Sequence, residues 1–379
     1  MSSHLTSVII SGSGVWNPPH VVTNEELVEV LNANANRFNE RNAQAIADGN
    51  ITALAKSDAA FIEKASGIKQ RFVYEKDGIL NINRMRPNIP QRADDELSNQ
   101  AEMAISAAKL ALADANKEAA DIDAVIVSCA YTQRAYPAIA IEVQHALGIK
   151  GFGFDMLVAC SAATFALQRA YEMIRSGTAK SVLVINPELV TPQLNFADRD
   201  SHFIFGDVAT AVVVESEASS KSNNFFKILG IKAETSYSNN IRSNFGHLSR
   251  AADVEAFGLD KLFRQEGRKV FKEVCPMAAE HMTSHISNLG LKNAEVRRWW
   301  LHQANINMNL LIAKKLLGRP ATEDEAPIVL DRYGNTASAG SIIAFNLHHK
   351  DLQSGDIGVI CSFGAGYSIG SLVLQCVRN

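Results

Sequence analysis

One cysteine in this chain is placed as a nucleophile would be. Cys160 lies between a strand-like apolar run, Gly153 to Val158, and a run of small residues that recur at helical spacing from Ala162 to Ile174. Ser176 and Gly177 then provide a stop for the helix. The free N–H groups and the positive dipole at a helix start favour a thiolate, so we expect a lowered pKa for Cys160. The alternative is a buried cysteine that packs as a small hydrophobic residue.

Two later segments place polar side chains at comparable corners. Arg297 to Leu301 is predicted as a strand, followed by the polar corner His302-Gln303-Ala304-Asn305 and a helix from Ile306 to Leu317. A second predicted strand, Ile328 to Leu330, leads into a small-residue turn that contains Asn335. Both side chains can therefore face a cleft. Each also has a structural interpretation, His302 as a satisfied core or surface residue and Asn335 as a turn former.

The C-terminal region offers a third element, this time from the backbone. Ile357 to Cys361 is predicted as a strand, in which Cys361 is interpreted as a packing residue. Ser362 to Gly370 is predicted as a glycine-rich turn whose backbone can approach a ligand closely. Such a turn can offer N–H groups to an oxyanion.

In their order along the chain, these motifs resemble the signature of the beta-ketoacyl-ACP synthase III family. The segments that carry the likeness are Cys160, His302-Gln303-Ala304-Asn305, Gly334-Asn335-Thr336 and Phe363-Gly364-Ala365-Gly366. It extends to Ser66-Gly67-Ile68, Tyr136-Pro137, Asp198-Arg199, Phe205-Gly206-Asp207 and Gly267 to Phe271, and so covers most of the chain. The resemblance implies an α/β protein with a thiolase-like fold, in which two similar halves form αβαβα layers with the active site between them.

The resemblance also implies an acyltransferase of fatty acid biosynthesis, with Cys160, His302 and Asn335 as the catalytic residues. Cys160 would take an acyl group from acyl-CoA, and malonyl-ACP would then lose CO2. His302 and Asn335 would hold the enolate oxygen, and the backbone N–H groups of Cys160 and Ala365 would form an oxyanion hole. Acyl-CoA and acyl carrier protein are thus the expected partners, and neither a cofactor nor a metal is expected.

Related enzyme classes fit less well. A thiolase would carry a second cysteine where Ser362 stands, and the chain-elongating synthases use two histidines, whereas this chain has Asn335. Papain-like hydrolases carry a different sequence around their cysteine. Non-decarboxylating condensation, acyl transfer in specialised polyketide or quinolone biosynthesis, and a non-catalytic scaffold remain as alternatives.

Substrate-binding residues are implied by the resemblance alone: Arg199, Arg268, Phe271, Asn305 and Tyr136. The two arginines would lie near the CoA or phosphopantetheine arm, Phe271 along it and Asn305 beside its amides. Where many members have a tryptophan and an arginine against the CoA adenine, this chain has Phe61 and Ala65. A basic rim for the acidic ACP is formed by Lys269, Lys272, Lys314 and Lys315, unless these lysines are simply solvated helix faces.

Two departures from the family pattern bear on the acyl group. The segment Asn32 to Ser57 is longer than in the short-chain priming enzymes, and Tyr136 replaces the phenylalanine common at the floor of the acyl pocket. A longer segment could cover a deeper tunnel, so we expect a primer longer than acetyl, of medium chain length. The alternative is a surface elaboration that does not contact the substrate.

Composition excludes several other classes of protein. The chain has 379 residues, 47% of them hydrophobic, and a net charge of −3, which argues against nucleic acid as the main partner. It has no apolar run of the ~18 residues that a membrane span needs, and Met1-Ser2-Ser3-His4 does not begin a signal peptide, so a cytoplasmic protein is expected. Five scattered cysteines without CxxC spacing fit a reducing compartment and no structural zinc.

Strand-like and helix-like runs alternate along the whole chain, which predicts an α/β fold. A polar stretch from Glu215 to Asn224 separates two such series. We therefore expect an N-terminal half, residues 1–217, that carries Cys160, and a C-terminal half, residues 218–379, that carries His302 and Asn335. The family resemblance further implies a homodimer in which Tyr136 reaches across the interface.

Overall fold

The structure is a computed structural model that describes residues 6–244, 255 and 258–378. The four N-terminal residues considered above for a signal peptide lie outside the described residues. Where the structure describes the chain, no helix is both long and apolar enough to cross a membrane.

The described chain alternates strands with helices. The strands are β1 (Val8–Trp16), β2 (His20–Thr23), β3 (Gln70–Val73), β4 (Ala124–Cys129), β5 (Phe152–Leu157), β6 (Ser181–Glu188), β7 (Val208–Ser216), β8 (Phe225–Ser238), β9 (Ile241–Arg242), β10 (Arg264–Gln265), β11 (Val296–Leu301), β12 (Ile357–Gly364) and β13 (Gly366–Val377). The helices are α1 (Asn24–Arg41), α2 (Ala43–Ala47), α3 (Ala59–Ser66), α4 (Asp77–Leu80), α5 (Asn99–Asp114), α6 (Ile139–Leu147), α7 (Ala162–Arg175), α8 (Gly267–Asn288), α9 (Ile306–Leu317), α10 (Leu330–Tyr333) and α11 (Gly340–Leu347).

Nine strands form one mixed sheet in the order β11-β12-β13-β8-β1-β7-β6-β4-β5. The two arms of this sheet have similar topologies. In the first arm, β4 runs parallel to β5 and β6, while β7 is antiparallel to β6 and β1. In the second arm, β11 runs parallel to β12, while β13 is antiparallel to β12 and β8. The arms meet where Ile9 and Ile10 of β1 pair with Lys227 and Phe226 of β8.

Helices cover both arms and also separate them, which gives the expected αβαβα layers. α5 and α6 pack outside the first arm, α8 and α9 outside the second, and α7 and α11 contact strands of both arms. Three apolar clusters lie between the layers, one beneath α5 and α6, one beneath α8 and α9, and one around α7 and α11 that joins both arms. Strands β4, β6 and β7 are buried along their whole length, as expected for strands covered on both faces. The predicted α/β fold is confirmed, and the predicted boundary after residue 217 falls in the connection between β7 and β8.

Most predicted elements form, but the predicted strand from Ile328 to Leu330 is wrong. Leu330 begins the short helix α10, and the two residues before it belong to no strand. The backbone N–H groups of Val329 and Leu330 instead donate to Oε1 of Gln303, at 2.9 and 3.2 Å. The Gln303 amide N–H also donates to the carbonyls of Leu301 and Pro327. One buried carboxamide therefore replaces a strand neighbour and anchors the segment before Asn335.

The glycine-rich turn predicted from Ser362 to Gly370 is shorter than expected. β12 continues to Gly364 and β13 starts at Gly366, so that the two strands form a hairpin with Ala365 at its tip. Gly364 pairs with Ser368 beside the tip. The hairpin holds Ala365 at a defined position because ladder hydrogen bonds fix both flanking strands.

The long N-terminal segment is tied back onto its own helix. α1 starts with a capping box formed by Thr23 and Glu26. Farther along, the Asn32 carboxamide bonds the backbone N and O of Ser57, and that of Asn39 bonds both backbone groups of Leu54. These four bonds fasten residues 54–57 to α1, and Leu27 of the same helix belongs to the apolar cluster against which Cys160 packs.

Candidate active site

One cavity of about 720 Å³ brings the three predicted catalytic residues together. Cys160, His302 and Asn335 all line it, although they are far apart in sequence. Cys160 follows β5 of the first arm, His302 follows β11 of the second, and Asn335 precedes α11. The strand ends and the central layer of helices thus position a sulfur, an imidazole and a carboxamide around one space.

Cys160 lies in the short 3₁₀ turn Ala159–Ser161 that precedes α7. Ala159 has a φ of 44°, a strained left-handed conformation for a residue with a side chain. The expected lowering of the thiol pKa is wrong. Burial, with a further contribution from the nearby Glu188 carboxylate, raises the pKa of Cys160 to about 12. The dipole at a helix start stabilises a thiolate by at most ~2 kcal/mol, and for Cys160 the cost of removing the thiolate from water is larger.

Backbone donors nevertheless face the sulfur. The N–H groups of Ala365 and of Cys160 itself interact with Sγ and favour its anionic form. Gly364 lies immediately behind, where a Cβ atom would be 2.5 Å from Cβ of Cys160 and 3.2 Å from Sγ. Only a residue without a side chain lets the hairpin approach the sulfur this closely, which keeps both N–H groups beside Sγ.

His302 is a neutral imidazole on the other side of the cavity. Its backbone N–H donates to the Cys361 carbonyl at 2.8 Å, and its ring packs edge-on against Phe363. The side chain is 2% exposed, and burial lowers its pKa to about 4. Within the described part of the chain, Nδ1 is buried and has no hydrogen-bond partner. Nε2 is thus the nitrogen available to a substrate, either to donate or to accept a proton.

Asn335 lines the cavity and also holds the turn in which it lies. Its backbone N–H donates to Ile204 at 2.8 Å, and its carbonyl accepts from Gly206 at 3.2 Å. Its side-chain Oδ1 accepts the Ala337 N–H at 3.0 Å. Because Oδ1 is occupied, the side-chain NH₂ group is the part of the amide left for the cavity. Ala337 has a φ of 47°, which matches the strained alanine beside Cys160.

Three of the five predicted substrate-binding residues line the same cavity. Arg268 and Phe271 contribute from the start of α8, and Asn305 from the N-cap of α9. The Asn305 carboxamide is already engaged, since it donates to the Ala65 carbonyl at 2.8 Å and accepts the Asn307 N–H at 2.9 Å. Its role toward a pantetheine amide stays a prediction.

Arg199 does not line the cavity but lies against a residue that does. Its guanidinium carbon lies 4.1 Å from the ring centroid of Phe61, which lines the wall. Its Nε donates to the Lys56 carbonyl at 2.8 Å, within the segment that α1 holds in place. Sequence reasoning identified both Phe61 and Arg199 but missed their contact, because only the fold brings residues so distant in sequence together.

The placement of Tyr136 requires a correction. The expectation that it lies on the floor of the acyl pocket is not met within its own chain, because its side chain is 84% exposed and does not line the cavity. The tyrosine precedes α6, which packs beside the edge strand β5. Within this chain, Tyr136 therefore takes no part in the cavity.

Other charged residues surround the cavity. Arg264, which the sequence analysis did not identify, lines it together with Asp198 and Asp200. Lys314 and Lys315 are exposed in the last turn of α9, as the predicted rim requires. Lys269, in contrast, is paired with Glu266. In the described ranges of the chain, no three His, Cys, Asp or Glu side chains gather as metal ligands would.

The layered fold and the shared cavity are those of a thiolase-like condensing enzyme. Two sequence models of 3-oxoacyl-[acyl-carrier-protein] synthase III match, one at residues 154–234 and the model of the C-terminal region at residues 286–376. A beta-ketodecanoyl-[acyl-carrier-protein] synthase of Pseudomonas aeruginosa is 57% identical over 348 residues, which cover 92% of this chain and 99% of that protein. This chain therefore belongs to the 3-oxoacyl-[acyl-carrier-protein] synthase III family of acyltransferases.

Solved structures agree with this assignment. The 3-oxoacyl-[acyl-carrier-protein] synthase III of Aquifex aeolicus is 26% identical, with a TM-score of 0.75 over 97% of this chain and 99% of that one. The priming beta-ketosynthase of the R1128 polyketide pathway has a TM-score of 0.77 at 22% identity, over 98% of this chain and 96% of that one. The second likeness concerns the fold alone. The thiolase-like fold expected from the sequence is thus confirmed.

Proposed function

We propose that this enzyme condenses a medium-chain acyl-CoA, of about eight carbons, with malonyl-ACP through an acyl-Cys160 intermediate. The observation that carries the proposal is the common cavity of Cys160, His302 and Asn335. The proposed steps use side chains and backbone N–H groups only, without a cofactor.

In the first half-reaction, Sγ of Cys160 attacks the thioester carbonyl of acyl-CoA. The thiol pKa is raised to about 12, so the free thiolate is scarce at neutral pH and its proton must be removed as the bond to carbon forms. His302, neutral because its pKa is lowered to about 4, can accept that proton and return it to the departing CoA sulfur. The acyl group then remains on Cys160.

In the second half-reaction, malonyl-ACP loses CO2, and negative charge develops on its thioester oxygen. The Asn335 NH₂ group and Nε2–H of His302, in the neutral tautomer with the proton on Nε2, are the donors for this enolate. The enolate carbon then attacks the acyl-Cys160 carbonyl, whose oxyanion lies against the N–H groups of Cys160 and Ala365. Collapse of that intermediate expels the Cys160 sulfur as a thiolate, which takes up one proton from solvent to restore the thiol, in place of the proton that CoA had carried away.

The chain length of the primer follows from carbon counting on the Pseudomonas relative. Its name gives a ten-carbon beta-keto product, and condensation with malonyl-ACP adds two carbons, so its primer has about eight. Support from this chain is the cluster of apolar side chains that line the cavity, which includes Phe203, Phe205 and Phe263. Such a cluster suits an alkyl chain rather than an acetyl group.

For the carrier protein we propose docking beside the exposed Lys314 and Lys315. Both follow the cavity-lining start of α9, and ACP is acidic. Reversing both charges to glutamate should raise the KM for malonyl-ACP and weaken its salt dependence, while acylation by acyl-CoA is unchanged. Reversal of Lys109, on α5 of the opposite outer layer, is the matched control. Equal effects of both reversals would contradict the docking site.

We also propose a homodimer formed along the edge strand β5. Phe152 and Leu157 at its two ends are 43% and 53% exposed, and Ile141 and Tyr136 beside it are exposed as well. An apolar edge strand with free backbone groups favours pairing with a second copy. Multi-angle light scattering should give a dimer for the wild type and a monomer for Leu157→Arg. A monomeric wild type with full activity would contradict this part of the proposal.

The central test is intact-protein mass spectrometry after incubation with acetyl-, octanoyl- and palmitoyl-CoA. Octanoyl-CoA should give the fastest mass increase on the wild type and none on Cys160→Ala. Malonyl-ACP should then remove the adduct with release of CO2. Asn335→Ala should block that removal alone, whereas His302→Ala should slow both formation of the adduct and its removal. Strong preference for acetyl-CoA would overturn the chain-length proposal, and an adduct that malonyl-ACP cannot discharge would favour the specialised acyltransferases instead.

A further inference from the structure

Glu188 is a buried carboxyl group next to the active site that the proposed chemistry does not use. It is the last residue of β6 and is 1% exposed. Oε2 accepts the Ala130 N–H at 3.0 Å, and Oε1 accepts the Ser338 N–H at 3.1 Å together with the Ser338 hydroxyl in a short hydrogen bond. Across the described residues, Glu188 forms no salt bridge. A buried carboxyl without a cation is costly unless its hydrogen bonds are needed.

These hydrogen bonds join the two walls of the cavity. Glu188 and Ala130 belong to the first arm, whereas Ser338 lies in the turn Ala337–Ala339 that follows Asn335. That turn contacts β6 and also the turn that carries Cys160. Its first residue, Ala337, donates the N–H that occupies Oδ1 of Asn335. The Glu188 carboxylate is therefore two hydrogen-bond steps from the amide that faces the cavity.

The charge of Glu188 opposes the nucleophile. It is the second cause, after burial, of the raised pKa of Cys160. Burial raises the pKa of Glu188 itself to about 7, while its bonds to Ser338 and Ala130 favour the charged form. Other ionisable groups close to it are Asp207, Cys129 and Tyr131. The Glu188 carboxylate therefore does not serve to activate Cys160. Its three hydrogen bonds indicate instead that it holds the neighbouring backbone in place.

We propose that Glu188 is a positioning residue for the malonyl-dependent half-reaction, which fixes the turn at Ser338 so that Asn335 presents its NH₂ group to the cavity. The inference rests on the proposed role of Asn335. It predicts opposite effects on the two halves of the reaction. Loss of the carboxylate should favour the Cys160 thiolate through charge, and should impair decarboxylation through geometry.

Two variants separate charge from geometry. Glu188→Gln removes the charge and turns one hydrogen bond into a contact between two donors. Its Cys160 should react several-fold faster with iodoacetamide at pH 8, whereas CO2 release from malonyl-ACP on pre-acylated enzyme should slow by roughly 10- to 100-fold, as a displaced group predicts. Ser338→Ala keeps the charge and loses the short hydrogen bond, so it should slow CO2 release without faster alkylation.

The double variant Glu188→Gln/Ser338→Ala completes the experiment. Both changes break the same hydrogen bond between Glu188 and Ser338. The rate of CO2 release in the double variant should therefore fall by about as much as in the slower single variant, and not by the product of the two single fold losses. Thermal unfolding of each variant confirms that it is folded, and Ser338→Ala alone can decide if Glu188→Gln does not fold. Equal slowing of alkylation, acylation and CO2 release, multiplicative losses or unchanged CO2 release would each overturn the proposal. Failure of the wild type to form an acyl adduct would instead refute the proposed function.

Discussion

Replacement of Gly364 by alanine tests the geometry of the nucleophile most directly. The added Cβ would lie 2.5 Å from Cβ of Cys160, whereas carbon atoms in contact are about 3.5–4.0 Å apart. The hairpin and the cysteine turn must therefore separate by about 1 Å, which moves the sulfur away from the Ala365 N–H. A displacement of this size costs about 100-fold in rate, equivalent to ~2.7 kcal/mol of activation free energy.

Acylation of Cys160 by octanoyl-CoA, followed by intact-protein mass spectrometry, measures this effect without ACP. We expect about 100-fold slower acylation for Gly364→Ala, with a loss of about 1–3 kcal/mol in the free energy of unfolding from overpacking. Gly267→Ala is the matched control, since a Cβ there, at the mouth of the same cavity, meets no atom within 4 Å. Acylation of Gly364→Ala within about threefold of the wild type would refute the proposed close approach of hairpin and sulfur.

Three further predictions follow from charge and contact. The raised pKa of Cys160, about 12, predicts that the rate of its alkylation by iodoacetamide increases about tenfold per pH unit from pH 7 to 10. A rate that levels off near pH 9 would contradict this pKa. The rate measured on Cys160→Ser is subtracted as the contribution of the other cysteines. His302 is buried with a pKa lowered to about 4, so the unfolded state takes up the proton first as the pH falls, and stability is lost between about pH 6.5 and 4. Urea unfolding gives the free energy of unfolding at pH 7 and at pH 5. The decrease between the two pH values should be ~2 kcal/mol smaller in His302→Gln than in the wild type. Arg199→Ala should raise the KM for octanoyl-CoA by about threefold or more, but should leave the KM for the octanoyl thioester of N-acetylcysteamine unchanged, because that thioester lacks the nucleotide. Arg169→Ala on α7 is the control. If the KM rises for both thioesters, Arg199 does not act on the nucleotide.

Local patterns in the sequence indicated the catalytic candidates, and the resemblance of the ordered motifs to a family selected them over their structural interpretations. Cys160, His302 and Asn335 each follow an apolar run and stand in a turn of small or polar residues, although only the runs before Cys160 and His302 form strands. Their shared cavity follows from the fold that the resemblance implied. The α/β alternation could also be predicted because the strands are short apolar runs and the helices have a clear helical period.

Properties that depend on the surroundings of a residue could not be predicted. The direction of the Cys160 pKa depends on burial and on Glu188, neither of which is visible around residue 160. The segment before Asn335 has the composition of a strand but is held by Gln303, a residue in a different motif. Glu188 itself has no local pattern, because its partners lie 58 and 150 positions away along the chain.

The two strained alanines have a consequence for the stoichiometry of the reaction. Ala159 and Ala337 both have a positive φ, of 44° and 47°, and Cys160 and Ser338 follow them in the short turns before α7 and α11. The hydroxyl of Ser338 is occupied by a carboxylate, and the residue lies outside the cavity lining that the described chain forms. Of the two turns, only the one with Cys160 lines the cavity, so each polypeptide should carry a single acyl chain at saturation.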